Sequence, residues 1–258
     1  MQRVNRPELL DQSRIEPQAL RGSLRDLACL NRLFGGTSLM LNALGRMAVQ
    51  RPAREPISIL DVGTGSADVP RAIARWARRK GLIVKITACD MHSQVARVAQ
   101  LECADEPDIR IIQADITRLP FPTGSFDFAI CSLLLHHLAE SQVRTALCEL
   151  RRTARHGVIV SDLVRGWLPY AGVVLATHML SRNVITRNDG PLSVRRAYTV
   201  VEMRKLADEA GYPDLVLHSR PGFRMVGVGP GSLATAAQAA TLAGTRRERD
   251  FAIQTATR

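Results

Sequence analysis

Residues 55–230 read as an α/β domain on a mostly parallel, doubly wound sheet, and three observations predict it. Apolar, largely β-branched runs of strand length recur at 57–62, 83–89, 109–112, 126–131 and 157–163. Helical stretches at 67–80, 93–102 and about 140–154 alternate with them, and each crossover returns the chain in the same direction, so the strands must be parallel. The first run, ISILDVGTG, ends in a turn whose glycines let the backbone lie close against a ligand.

Taken in order, residues 1–22 are polar and contain proline, which predicts a flexible arm. Ser23 to Asp26 has the S-x-x-D shape of a helix start, and Leu24, Leu27, Ala28, Leu30 and Leu33 recur with helical period. Gly35-Gly36 ends that helix, and a second one runs from Leu39 to Val49. Residues 23–54 are therefore expected to cover the ligand, with Asn31 or Arg32 reaching it. After the fifth strand comes a long insertion, 164–198, whose first half, WLPYAGVVLATHMLS, is apolar and helical. At about fifteen residues it is too short for a membrane span. A lid over the ligand site is expected there, with core packing or a dimer contact as the alternative. Thr199 and Glu202 form a capping box that opens a helix through Ala210, stopped by Gly211. LVLHSR and FRMVGVG flank Pro221-Gly222 as a hairpin and bring the strands to seven. From Gly231 onward the chain is rich in Ala, Thr and Gly, and disorder is expected for 231–258.

The identity of the ligand turns on Asp61. A carboxylate at the tip of the first strand attracts a cation and repels a pyrophosphate, which favours the ammonium and sulfonium of S-adenosylmethionine over NAD. Gly63 and Gly65 are followed by Asp68 where the dinucleotide fingerprint has its third glycine, and a second carboxylate disfavours phosphate further. Asp90 ends the second strand 25 residues beyond Gly65, where a carboxylate can accept both ribose hydroxyls. Asp115, after the third strand, can accept from the adenine amino group, and Met91 and Ile116 can sandwich the ring. A plain strand-to-helix turn with polar loop residues is the competing reading.

These stretches, ILDVGTGSADVP, then ACD at 88–90, then QADITRLPFPTGSFDFAICSLLLHHL at 113–138, resemble the motifs of class I S-adenosylmethionine-dependent methyltransferases. The resemblance is to the type 11, ubiquinone-biosynthesis-like branch with small-molecule and quinone or polyketide-type acceptors. It implies a Rossmann-like, seven-stranded sheet with an antiparallel last strand. It also implies that Asp61, Gly63 and Gly65, with Thr64, line the methionine moiety, that Asp90 holds the ribose and that Asp115 with Ile116 holds the adenine. Met91 and Ser132 complete the expected cofactor set. The chain departs from the pattern at Ala67, where many members have a further glycine.

Methyl transfer from a sulfonium is an in-line displacement that asks mainly for alignment, and a phenol or enol acceptor also gains from a base. His136 and His137, just beyond the fourth strand, are the base candidates, with His178 on the lid next. Arg195, Arg196 and Tyr198, in SVRRAYT, are candidates to anchor an acidic or phenolic group, or else bind the capped helix to the sheet. No Cys or His spacing suits zinc, and no metal is expected.

A chain of 258 residues that is 46% hydrophobic can bury one sizeable core. Its five cysteines are odd in number and scattered, as in a reducing cytoplasm. The net charge of +11 is spread along the chain, and aromatic residues make up only 4% of it, so a nucleic acid partner is disfavoured. The expected activity is methylation of a small, largely apolar metabolite, most simply on oxygen, in secondary metabolism. An RNA-modifying methyltransferase, an NAD-dependent oxidoreductase and a binding protein without catalysis remain as alternatives, and the oligomeric state is open.

Overall fold

A computed structural model describes residues 1–48, 55–220 and 223–234. Seven strands, β1 (Ile57–Val62), β2 (Val84–Asp90), β3 (Ile109–Gln113), β4 (Phe126–Ser132), β5 (Ala154–Leu163), β6 (Val216–Arg220) and β7 (Arg224–Pro230), form one sheet in the order β3-β2-β1-β4-β5-β7-β6. β1 to β5 run parallel to one another, and β7 runs antiparallel between β5 and β6. The strand order reverses between β1 and β4, the place where open α/β sheets leave a crevice at their carboxyl ends.

Alternation along the strands builds two cores. Leu60, Val62, Ala129 and Val160 face α5 (Glu140–Thr153) and α8 (Val200–Glu209) on one side. Ile57, Ile59, Ile86, Phe128 and Ile159 face α2 (Gly36–Ala48) and α3 (Asp68–Arg79) on the other. Such strands are apolar throughout because both faces are covered. Cys89 and Cys131 are buried within them as small apolar side chains. α4 (Ser93–Glu102) has the expected bounds, and β5 begins three residues earlier than expected. The Thr199–Glu202 capping box is present, with Glu202 N–H donating to Thr199 Oγ1 at 3.2 Å and Thr199 N–H to a Glu202 carboxylate oxygen at 2.8 Å.

Two expectations are corrected. α1 spans Pro17–Leu33, so it starts before Ser23. Glu16 caps it, accepting from the N–H groups of Gln18 and Ala19 at 2.9 and 2.6 Å, and Pro17 supplies the preset φ of a first helical residue. Ser23 is buried mid-helix and its Oγ accepts from Thr186 Oγ1. The first sixteen residues are also no free arm. Arg3 donates to Arg196 O at 2.7 Å and Leu138 O at 2.9 Å and lies 4.1 Å over the Tyr198 ring. Val4 N–H donates to Arg195 O, and the Leu9 and Leu10 N–H groups donate to the Asp189 carboxylate.

The insertion holds two helices, α6 (Trp167–Leu180) and α7 (Val184–Arg196), where one was expected. Asn183 caps α7 through the Ile185 and Thr186 N–H groups. Of α6 only Ala176 and Thr177 are buried, while Trp167, Leu168, Leu175 and Met179 are exposed. No described helix is long and apolar enough to cross a membrane. The Pro221-Gly222 turn, Val49 and the tail from residue 235 lie outside the described residues. Residues 231–234 of the expected disordered stretch continue beyond β7 along the start of β5, with Ser232 N–H donating to Ala154 O.

Deleting residues 1–12 is expected to raise amide deuterium uptake at 134–138 and 193–198 and to lower Tm by about 4 °C or more, the mark of about 1–2 kcal/mol in a chain of this size. Unchanged uptake there would show that the amino-terminal contacts carry no stability.

Candidate active site

The carboxyl ends of β1, β2 and β4 open into a cleft in two connected parts. The part nearer α1, about 90 Å³, is bounded by Asn31, Asp61, Thr64, Ser66, Asp68 and Ser132. The outer part, about 210 Å³, is bounded by Asp90, Met91, Asp115, Ile116, His137 and Leu138. Gly63, Gly65, Leu24, Leu27 and Leu133 border both. All nine residues expected to hold the cofactor therefore line one continuous cleft.

The glycine turn sets its floor. Gly63 and Gly65 have φ of 74° and 55°, and a Cβ on Gly63 would stand 2.7 Å from the Leu134 side chain. Gly65 N–H donates to Asp90 Oδ2 at 3.2 Å and His92 N–H donates to Asp90 Oδ1 at 3.0 Å, which ties the turn to the tip of β2. Ala67, where many proteins with the resembled motif have a further glycine, takes the left-handed conformation at φ 57°. Asp115 Oδ1 accepts from Thr117 N–H, and the residue is exposed.

The electrostatics favour a cation. Asp61 is 2% exposed, and burial, reinforced by Asp68 and Asp90, pushes its carboxyl up to about 7. Burial also raises Asp90 above its ordinary value. Thr64 Oγ1, Ser132 Oγ and Asn31 Oδ1 are buried without hydrogen-bond partners around the same space. Asn31 Nδ2 donates to Asp68 Oδ2 at 3.0 Å, so of the two α1 candidates Asn31 reaches the cleft, while Arg32 is exposed on the outer side. A charged, polar ligand satisfies these groups, and a cationic one relieves the crowding of Asp61, Asp68 and Asp90.

A second cavity of about 110 Å³ lies beneath α6 and α7, bordered mainly by apolar side chains such as Leu30, Phe34, Leu163 and Val173. Leu27, Asn31 and Leu133 border both this cavity and the inner cleft, so the two meet there. Leu133 holds φ 57°, a conformation that a leucine keeps only under constraint; its N–H donates to Ser161 O.

His136 and His137 both face this cavity, in different settings. His136 is 3% exposed and its Nδ1 lies 2.6 Å from Asp162 Oδ1. Burial pushes Asp162 up, but the His136 ring and the N–H groups of His136 and Leu163 hold it below its ordinary value. An ionised Asp162 only accepts, so His136 Nδ1 is the donor and Nε2 is left facing the cavity. His137 Nδ1 is 2.8 Å from Asp11 Oδ1. Glu8 lies beyond both rings, 3.8 Å from His136 Nε2 and 3.7 Å from His137 Nε2, and accepts from Ser193 Oγ at 2.9 Å. Burial, with Asp189 adding to it, pushes Glu8 up to about 7. Glu8, His136 and His137 offer ligand atoms within 4.8 Å of one another, a set that could hold a metal ion; Arg196 Nε is the cation beside Glu8, at 3.9 Å.

The remaining candidates lie away from the two cavities. His178 sits on the solvent side of α6, its Nδ1 turned to Val174 O, because Ala176 and Thr177 take the inward positions of that turn. Arg195 is exposed. Tyr198 is buried but its hydroxyl donates to Leu138 O, and it borders neither cavity. Arg196 instead bonds Asp11, Arg6 O and the carbonyls of His136 and His137. Glu8, Asp11, Asp162 and Arg224 are missed by the sequence, although Asp162 in VSDL ends a buried strand at the carboxyl rim just as Asp61 does.

Residues 59–157 match the methyltransferase domain family. That stretch of the chain is thus a methyltransferase domain. An uncharacterized methyltransferase of Mycobacterium tuberculosis is 39% identical over 92 residues, 36% of this chain and 42% of that protein. A ubiquinone/menaquinone biosynthesis C-methyltransferase UbiE of Burkholderia vietnamiensis is 28% identical over 46% of this chain and 49% of its own length. The match thus spans less than half of either relative. The crystal structure of a SAM-dependent methyltransferase from Aquifex aeolicus shares the fold, with TM-score 0.56 and 16% identity over 84% of this chain and 99% of that one.

Because Asp61 must lose its proton to pair with an ammonium, the Kd for S-adenosylmethionine is expected to fall as pH rises from 6 to 8. Asp61→Asn is expected to flatten that slope and raise the Kd roughly tenfold or more, about 1.5–3 kcal/mol for a lost bond to a charged group. Isothermal titration across this range measures both, and a pH-independent Kd in the wild type would separate Asp61 from cofactor binding.

Proposed function

We propose that this protein transfers a methyl group from S-adenosylmethionine to a small, largely apolar acceptor with an ionisable hydroxyl, a phenol or enol of quinone-like or polyketide type, and that oxygen is methylated. The observation that carries the reading is the His136–Asp162 pair, which stands in an apolar cavity joined at Leu133 to the carboxylate-lined cleft.

Asp61 is suited to the ammonium, Asp90 to the ribose and Asp115 with Ile116 and Met91 to the adenine; when bound, the cofactor supplies an electrophilic methyl group. Everything else falls to the chain. Leu27 and Leu133 exclude water where cleft and cavity join and let the acceptor approach in line. His136 Nε2 takes the hydroxyl proton, and Asp162 holds the ring in the right tautomer and steadies the charge it gains. α6 and α7 roof the cavity and give it its preference for apolar molecules.

Carbon methylation is the second reading, favoured by the matched UbiE relatives, which are C-methyltransferases by name. A phenolate or enolate shares its charge between oxygen and carbon, so the same base serves both. The aromatic content of 4% and the apolar cavity favour a metabolite over RNA. We place the activity in the cytoplasm and in secondary metabolism.

Release of S-adenosylhomocysteine against a panel of alkylphenols and 1,3-dicarbonyls tests the activity, and product NMR separates O-methyl from C-methyl. His136→Ala is expected to lower kcat by about 10² or more with little change in cofactor Kd, and His137→Ala to act within a few-fold. Equal kcat in wild type and His136→Ala would remove the base. A rise in Tm with NAD and none with S-adenosylmethionine would overturn the assignment.

A further inference from the structure

One wall of the cavity beneath α6 carries a guanidinium whose Nε and Nη1 no hydrogen bond meets. Arg224 starts β7 in register with Leu163 at the end of β5, which puts it at the carboxyl rim of the sheet. It is 3% exposed, it borders the cavity that His136 also borders, and its Nε and Nη1 are buried without hydrogen-bond partners. A guanidinium stays charged at any accessible pH, so it cannot escape this burial by losing a proton. Asp162 and Asp68 pull on it from a distance, but Asp162 is engaged with His136 and Asp68 with Asn31. The first residue of α2 keeps the space around it open. A Cβ on Gly36 would stand 2.7 Å from the Arg224 Cζ, so the helix closes on the guanidinium only because no side chain is there.

A buried cation whose Nε and Nη1 have no partner, on the wall of a cavity that joins apolar side chains to Glu8, Asp189 and the two histidines, suits an anionic oxygen. We propose that Arg224 is the subsite for an anionic oxygen of the methyl acceptor, whether a phenolate, an enolate or a carboxylate at one end of a small apolar molecule. This rests on reading the cavity as the acceptor site. Arg224 borders that cavity and neither part of the cofactor cleft, so the anion is assigned to the acceptor and not to the methionine carboxylate. The pairing gives the cavity a sense of direction: the apolar body lies under α6 and the charged end is turned to β7. It also selects against neutral molecules of the same shape, because these leave the guanidinium buried and unpaired.

The test uses the full chain saturated with S-adenosylhomocysteine and titrated calorimetrically with 4-ethylbenzoate and with its neutral counterpart 4-ethylbenzamide. The wild type is expected to bind the anion at least tenfold more tightly. Arg224→Gln is expected to erase that preference and to leave the affinities for the amide and for S-adenosylhomocysteine within twofold. Arg224→Lys, which keeps the charge in the same pocket, is expected to retain part of the preference and covers the case in which the glutamine variant does not fold. Equal binding of the two probes by the wild type, or binding of neither, would overturn the proposal. So would an anion preference that survives in Arg224→Gln, or a variant that loses S-adenosylhomocysteine instead, which would make Arg224 a partner of the cofactor carboxylate. Failure of the wild type to bind S-adenosylhomocysteine at all would instead overturn the assignment of the cleft.

Discussion

The structure is organised around a buried carboxylate with no cation of its own. Asp61 ends a strand that is covered on both faces, and Asp68 and Asp90 stand near enough to push it further toward its neutral form. A fold tolerates such crowding of negative charge where a ligand is to relieve it. The glycine turn, the tie between Gly65 and Asp90 and the orphaned hydroxyls of Thr64 and Ser132 all surround that one point. A pyrophosphate there would meet repulsion at every step, whereas an ammonium beside a sulfonium meets the opposite.

The amino-terminal segment makes the second half of the site. Glu8 and Asp11 come from a turn that no periodicity marks, yet Glu8 borders the cavity beside His136 and His137 and Asp11 the outer cleft beside His137. Arg196, read from the sequence as an acceptor anchor, is the strut that holds this arrangement, bonding Asp11 and the histidine carbonyls together. Negative groups therefore lie on both sides of the histidines, with Asp162 beneath and Glu8 above. The two rings differ less in their chemistry than in burial: His136 is locked inside and His137 keeps contact with the cleft.

The sheet and the residues that line its carboxylate-rimmed cleft were legible because both are written in short stretches. Strand runs, the Gly63–Gly65 turn and the acids that follow β1, β2 and β3 are local patterns, and local patterns survive without knowledge of the fold. The cavity beneath α6 was not, because its polar groups and their partners are assembled from distant pieces: Glu8 from the amino terminus, Asp162 from the end of β5 and Arg224 from the start of β7. Polarity made residues 1–16 look free, although several of their polar groups are spent on backbone carbonyls and on Asp189 across the molecule. The start of α1 was misplaced because Glu16 is an uncommon cap and Ser23 a common one. His178 was read as part of the lid and Arg195 as an anchor for an acidic group, and the helical turn sends each to solvent.

The account stands or falls on which end of S-adenosylmethionine meets Asp61, and a crystal structure of the complex measures that directly. The ammonium is expected within hydrogen-bond distance of Asp61, the ribose on Asp90, and the methyl group directed past Leu133 toward His136. A cofactor bound in the reverse sense, or lodged in the cavity beneath α6, would contradict it.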